Sequence, residues 1–152
     1  MKRSFGSDNH SGIHERIAVA MLRANTGDEV AYGEDKWTEK AIRKMKDIFG
    51  NDAEIFFVFN GTGANTVSIK SMTKSHNAVI SAGCAHLNVD ECGAPENFCG
   101  IKIKTLETPD GKLTPEMIDP LFHGRHDQHH VQPKVISITQ STEVGTVYTQ
   151  KE

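Results

Sequence analysis

The stretch Glu54-Ile55-Phe56-Phe57-Val58-Phe59 limits the possible folds more than any other part of this chain. It is apolar without alternation, short, and rich in aromatic and β-branched residues, so it reads as a strand buried on both faces. Such a strand needs helices on both sides of a sheet, and the rest of the chain offers them. Helical spacing of Ile17, Ala18, Ala20, Met21, Leu22 and Ala24 predicts a helix over residues 13–24. Ala41, Ile42, Met45, Ile48 and Phe49 predict another over 38–49. After residue 59 the elements alternate: helix 62–72, strand 77–81, short helix 88–94, strand 101–105, and a helix capped by Thr114 with Pro115 in its first turn and running to about Phe122. A His-rich loop follows, then strand 134–139, and a brief strand or turn over Gly145-Thr146-Val147-Tyr148. Strands alternating with helices imply a parallel α/β sheet with right-handed crossovers. With about four core strands, such a sheet leaves an apolar edge unless more chain or a partner covers it.

Composition narrows the class of partner. A hydrophobic share of 37% with 24% charged residues is globular and not disordered, and a net charge of -3 argues against a nucleic-acid surface. Met1-Lys2-Arg3-Ser4-Phe5-Gly6 has no apolar run behind it and gives way to Ser7-Asp8-Asn9-His10, which disfavours a secretory signal. No stretch approaches a membrane span. Cys84, Cys92 and Cys99 are odd in number and lack C-x-x-C spacing, which suits free thiols in a reducing cytoplasm.

Two segments carry candidate chemistry. Phe59-Asn60-Gly61-Thr62-Gly63-Ala64-Asn65 lies where a strand turns into a helix. Its glycines permit close backbone approach, the first helical turn offers free N–H groups to a phosphate, and Thr62 and Asn65 can add hydrogen bonds. An ordinary glycine turn capped by Thr62 has the same spacing; the pattern is neither a Walker loop nor G-x-G-x-x-G. His86, in Ser81-Ala82-Gly83-Cys84-Ala85-His86, falls just past the carboxyl end of a strand, where open α/β sheets bind ligands. Its imidazole could stack on a planar group or move a proton, with Glu91 nearby; position alone favours a loop-capping His and a solvated Glu. His123, His126, His129 and His130 invite a metal reading. The adjacent pair His129-His130 points apart on an extended segment and no cysteine is close, so a polar loop without metal is expected.

A set of motifs in fixed order sharpens this reading. Ser7-Asp8-Asn9, Tyr32-Gly33-Glu34-Asp35 with Thr38, the run from Phe56 to Asn65, and Ala85-His86 with Asp90-Glu91-Cys92-Gly93-Ala94 come first. Asp127-Gln128-His129-His130-Val131-Gln132-Pro133 and the run from Gln140 to Tyr148 follow. Together, over nearly the whole chain, they resemble the N-terminal half of low-specificity threonine aldolases, in the β-eliminating-lyase group of fold-type I enzymes that use pyridoxal 5'-phosphate (PLP). The resemblance implies an incomplete fold-type I PLP-dependent transferase-like large domain. Residues 1–50 would be an N-terminal helical segment reaching toward a partner subunit, and 51–152 the α/β cofactor-binding part. It implies Gly61, Thr62 and Asn65 at the PLP phosphate, and His86 stacked on the pyridine ring. Ser7 would bind the substrate carboxylate with Asp8 and Asn9 beside it, Tyr32 would border an active site, a neighbouring subunit's, and Glu91 would stand near the substrate. The expected protein is a cytoplasmic homodimer or homotetramer with shared active sites, acting on an amino-acid substrate. The expected reaction cleaves L-threonine or L-allo-threonine-type β-hydroxy-α-amino acids to glycine and an aldehyde, a base taking the β-hydroxyl proton as the Cα–Cβ bond breaks.

The sequence departs from that family in two respects. Where several better-known members read Thr-His-Asn-Gly, this chain has Thr142-Glu143-Val144-Gly145, so Glu143 stands in place of a histidine suited to the substrate hydroxyl. The family's Asp-Gly-Ala-Arg segment and the later lysine that bonds PLP have no match here; Lys70, Lys74, Lys102 and Lys134 lie in other contexts. The 152-residue chain alone is therefore expected to be inactive. The alternatives are an inactive remnant, a phosphate-binding or interaction module, or another fold-type I lyase.

Overall fold

The apolar stretch Asn77-Ala78-Val79-Ile80-Ser81-Ala82 forms β1 (Asn77–Ala82), and every one of its residues is buried. This is a computed structural model, and it describes Ser4 and residues 6–152, with the side chain of Asp8 outside the described set. β1 is the middle of a three-stranded, all-parallel sheet in the order β2-β1-β3, with β2 at Lys102–Leu106 and β3 at Gln132–Ile136. Val79 lies opposite Ile103 on one side and Val135 on the other. Between Ala78 and Val79 the β3 register shifts, next to Pro133. Proline has no N–H to give a ladder, and an edge strand with an irregularity accommodates it.

Alternation along β1 sends its side chains into two separate cores. Val79 packs with Ile69, Leu87, Cys99 and Ile101. These come from α3 (Gly61–Met72), α4 (His86–Val89), α5 (Ala94–Cys99) and the residue before β2. Ile80 and Ala82 face the other way, against Ala85, Leu113 and Ile118, the last on α6 (Pro115–Ile118), whose turn is continued by a 3-10 segment over Asp119–Phe122. Helices on both faces are what a fully buried parallel strand requires. The burial orders the three thiols: Cys99 is buried, Cys84 half-buried and Cys92 exposed. Burial also pushes the Cys99 thiol up, against the opposing charge of Lys70. A thiol-reactive reagent is therefore expected to label Cys92 first, Cys84 more slowly and Cys99 only on unfolding, as peptide mapping over time would show.

Two compact units are distinguishable, Met1–Phe56 and Phe57–Glu152. The first holds α1 (Glu15–Ala24) and α2 (Lys36–Phe49). α2 begins two residues before the start read from sequence because Asp35 is its cap. Asp35 Oδ1 accepts from the N–H groups of Trp37 and Thr38, each at 2.9 Å, and the Thr38 hydroxyl donates to Oδ2 at 2.6 Å. Those bonds, the Thr38 hydroxyl foremost, hold the Asp35 carboxyl below its usual range. The support they lend α2 is present above the ordinary carboxylate pKa and is lost as pH falls through the lowered one.

Three sequence expectations need correction. Residues 54–59 form no strand, and Phe56, Phe57, Val58 and Phe59 are exposed. A strand exists only through its ladder, and both edges of β1 are already taken by β2 and β3; the apolar run has no ladder partner among the described residues. The sheet thus has three strands here, not about four. The single helix expected over 88–94 is two helices, because Cys92 and Gly93 adopt left-handed φ values of 53° and 70° and break it.

Candidate functional site

The chain leaves β1 at Ala82, crosses Gly83-Cys84-Ala85 and enters α4 at His86. Asn88 holds this crossing by donating from Nδ2 to the Gly83 carbonyl at 2.8 Å. His86 is thereby fixed at the carboxyl end of the central strand, where parallel sheets gather ligands. α3 starts nearby in the same unit. Its cap is Asn60, whose Oδ1 accepts from Gly63 N–H at 2.8 Å, while the Ala64 N–H reaches the Asn60 carbonyl at 3.0 Å. The N–H groups of Gly61 and Thr62 have no partner among the described residues, which leaves the positive end of the helix open to an anion. Asn60→Ala is expected to cost about 1 kcal/mol, read as a lower denaturant midpoint with an unchanged m-value.

His86 and α3 are joined through one acid. Glu91 lies in the turn between α4 and α5 and is only 3% exposed. Its Oε1 accepts from Asn65 Nδ2 at 2.7 Å and lies 3.1 Å from His86 Nδ1, while its Oε2 is buried without a partner among the described residues. The position read from sequence as a solvated Glu is therefore the most deeply buried acid of the site. The His86 side chain itself is about half exposed, at 48%.

These groups line a cavity of about 400 Å³ bounded by Gly61, Asn65, His86, Leu87, Glu91, Ser137, Ile138, Thr139, Gln140 and Glu143. Ser137 to Gln140 continue from β3, so the cavity opens over the carboxyl ends of two parallel strands. The sequence reading put Ser137 to Thr139 in a strand, which ends instead at Ile136, and Gln140 in a motif, and gave none of the four a place at the site. The signal that finds them is their place just past a strand parallel to the one that delivers His86. Glu143 is carried by a loop locked onto the Asp110-Gly111 turn. The Thr146 hydroxyl donates to the Asp110 carbonyl at 2.6 Å, Thr142 N–H to the Thr146 carbonyl at 2.9 Å, and Tyr148 OH accepts from Leu113 N–H at 2.7 Å. Gln140 closes the loop by bonding the Tyr148 N–H and carbonyl through its side chain, each at 2.8 Å.

Of the residues singled out from sequence, Gly61, Asn65, His86, Glu91 and Glu143 thus come together, and Thr62 sits half-buried in the first turn of α3 outside the lining. Ser7 and Tyr32 belong to the first unit, as does Asp8, whose side chain lies outside the described set. Ser7 Oγ accepts from the Asn9 N–H at 3.2 Å in the turn over Asp8–His10. Tyr32 is fully exposed at φ 64°. In the His-rich loop, the His129 N–H donates to Asp127 Oδ1 at 2.8 Å and His130 Nδ1 lies 2.8 Å from Asp127 Oδ2, and together they hold the Asp127 carboxyl below its usual range. Gln132 Nε2 donates to the carbonyls of Gly124, Asp127 and His130. Among the described residues no group of three or more His, Cys, Asp or Glu is placed to hold a metal ion, and no helix is long and apolar enough to cross a membrane.

Comparison with known proteins agrees with this geometry. The family model described as Beta-eliminating lyase matches residues 4–152. The chain is 46% identical over 151 residues to a low specificity L-threonine aldolase of a Pseudomonas strain, and 45% identical to that of Pseudomonas aeruginosa. Each match takes in 99% of this chain and 44% of the relative, so the chain spans less than half the length of these relatives. Its fold superposes on the solved structure of a Leishmania major threonine aldolase with a TM-score of 0.88 at 34% identity, over 94% of this chain and 42% of that one. A family match over nearly the whole chain and a superposed fold point the same way: the chain belongs to the beta-eliminating lyase family, whose members depend on PLP.

Proposed function

We propose that residues 57–152 form the PLP-holding part of a lyase that cleaves L-threonine or L-allo-threonine-type β-hydroxy-α-amino acids to glycine and an aldehyde. The observation that carries this reading is the single cavity into which the α3 N-terminus, His86, Glu91 and Glu143 all converge. The residues fit the cofactor. Gly61 and Thr62 N–H groups and the Thr62 hydroxyl would take the phosphate, and the half-exposed His86 ring, tied at Nδ1, would lie against the pyridine. When bound, PLP supplies the electron sink that breaking a Cα–Cβ bond requires.

The chain's own groups would do the rest. Glu143, exposed on a loop held from both ends and lining the cavity, would take the proton from the substrate's β-hydroxyl. Ser7 would help bind the substrate carboxylate, with Asp8 and Asn9 shaping the same corner, and Tyr32, fully exposed, would serve a neighbouring subunit's site in a homodimer or homotetramer. Among the described residues no lysine lines the cavity; Lys70 instead reaches the Cys99 carbonyl. The 152-residue chain mixed with PLP and threonine is accordingly expected to release acetaldehyde no faster than PLP alone, and a borohydride-fixed PLP adduct on a lysine of this chain with cleavage above that background would contradict this. The activity itself is tested by reading the coding DNA past codon 152 and assaying its product. Release of glycine and aldehyde from threonine supports the reading, whereas a PLP-binding protein that cleaves no β-hydroxy-α-amino acid overturns it.

A further inference from the structure

Glu91 is arranged in a way that the fold alone does not explain. A buried carboxylate with one oxygen serving two donors and the other serving none is costly, because desolvation of the second oxygen goes uncompensated. Both donors, Asn65 and His86, are exposed enough to bond water instead. The acid therefore adds little to the stability of the domain, and its effect falls on where those two side chains point. We infer that Glu91 is a positioning residue, whose Oε1 clamps His86 by its Nδ1–H and Asn65 by its amide, so that the imidazole is presented to the cavity as one tautomer in one orientation, in register with the start of α3.

The consequence for His86 is specific. With Nδ1–H donating its hydrogen bond to Glu91, Nε2 of the neutral ring carries the lone pair. The ring cannot turn about its bond to Cβ without breaking the contact, and Asn65 ties the same oxygen to the helix whose N-terminus borders the cavity. A flat, fixed ring and an anion-attracting helix end are thus held at a constant spacing by a single atom. As far as the group laid against that ring is PLP, the inference rests on the functional reading above; the clamp itself does not.

The test uses the full 152-residue chain with labelled histidine, Glu91→Gln, which keeps an acceptor oxygen, and Glu91→Met, which keeps the volume and removes the acceptor. Nitrogen-15 spectra of the His86 ring, taken in alkaline buffer without cofactor, report which nitrogen carries the proton. The expected result is an Nδ1-protonated ring in the parent and in Glu91→Gln, and a mixture of tautomers in Glu91→Met. PLP affinity should stay within about twofold of the parent in Glu91→Gln and fall about fivefold in Glu91→Met. An Nε2-protonated ring in the parent, or an Nδ1-protonated ring that persists in Glu91→Met, would overturn the inference. So would equal affinity losses in the two variants with an unchanged ring. If the tautomers change as expected while no variant, nor the parent, binds PLP, the clamp stands and the cofactor reading fails. The parent spectrum decides the matter even if a variant does not fold.

Discussion

A His86→Ala chain is expected to bind PLP about tenfold more weakly than the parent, the equivalent of about 1.4 kcal/mol of stacking. The expectation follows from position and exposure. His86 stands past the end of the central strand, its ring is half open to the cavity, and its Nδ1 is anchored to a buried acid. A flat ring so fixed gains contact with a planar ligand without losing freedom on binding. Removing it leaves Glu91 bonded to Asn65 alone, so the fold is expected to persist. His86→Phe separates the two parts of the role, since it keeps a flat face and loses the anchor, and it should recover part of the lost affinity. The measurement is a fluorescence or absorbance titration of the chain with PLP. Equal affinity in parent and His86→Ala would remove the imidazole from the site.

Ile80→Ala is expected to destabilise the second unit by about 2–5 kcal/mol, the usual cost of deleting a buried branched side chain. Ile80 is fully buried in the strand that both neighbours pair with, and its side chain meets Ala82, Ala85, Leu113 and Ile118 in the core on the α6 face. The resulting void would be bounded by a sheet that cannot collapse without breaking its ladders, which places the cost toward the upper part of that range. Urea unfolding followed by circular dichroism reads it as a lower midpoint. A substitution that moves the midpoint no more than a surface change would show that β1 is not the axis of the fold. Because Ala82 and Ala85 in the same cluster lead directly to His86, loosening this core should also weaken PLP binding.

Much of this organisation was legible in the residues. The alternation of strand and helix after residue 60, the Pro115 helix start and the place of His86 beyond a strand all follow from local patterns that the fold preserves. Short-range chemistry decides such features: a cap, a turn, an uninterrupted apolar run. The strand expected at residues 54–59 failed for the opposite reason. Its composition suits a buried strand, but pairing is a property of two segments, and no free edge of the sheet meets it among the described residues. Glu91 was named as standing near a substrate, yet nothing in a sequence shows that it is buried or that one oxygen serves both Asn65 and His86. The left-handed pair Cys92-Gly93 that places it was hidden as well, since a cysteine gives little warning of a positive φ. Ser137 to Gln140 were read as strand and motif and not as cavity lining, because that place comes from the neighbouring strand and not from their own types.

The central claim is that this chain holds PLP between the start of α3 and the His86 ring, and a titration followed residue by residue tests it most directly. PLP is added to the isotopically labelled 152-residue chain while backbone amide and histidine-ring signals are recorded. The account predicts saturable changes that are largest at the amides of Gly61, Thr62 and Gly63 and at the His86 ring, smaller ones at Ser137 to Gln140, and a weaker response when inorganic phosphate replaces the cofactor, confined to the α3 amides. Changes scattered over surface lysines, or a set of signals that leaves Gly61, Thr62 and His86 unmoved at saturation, would contradict it.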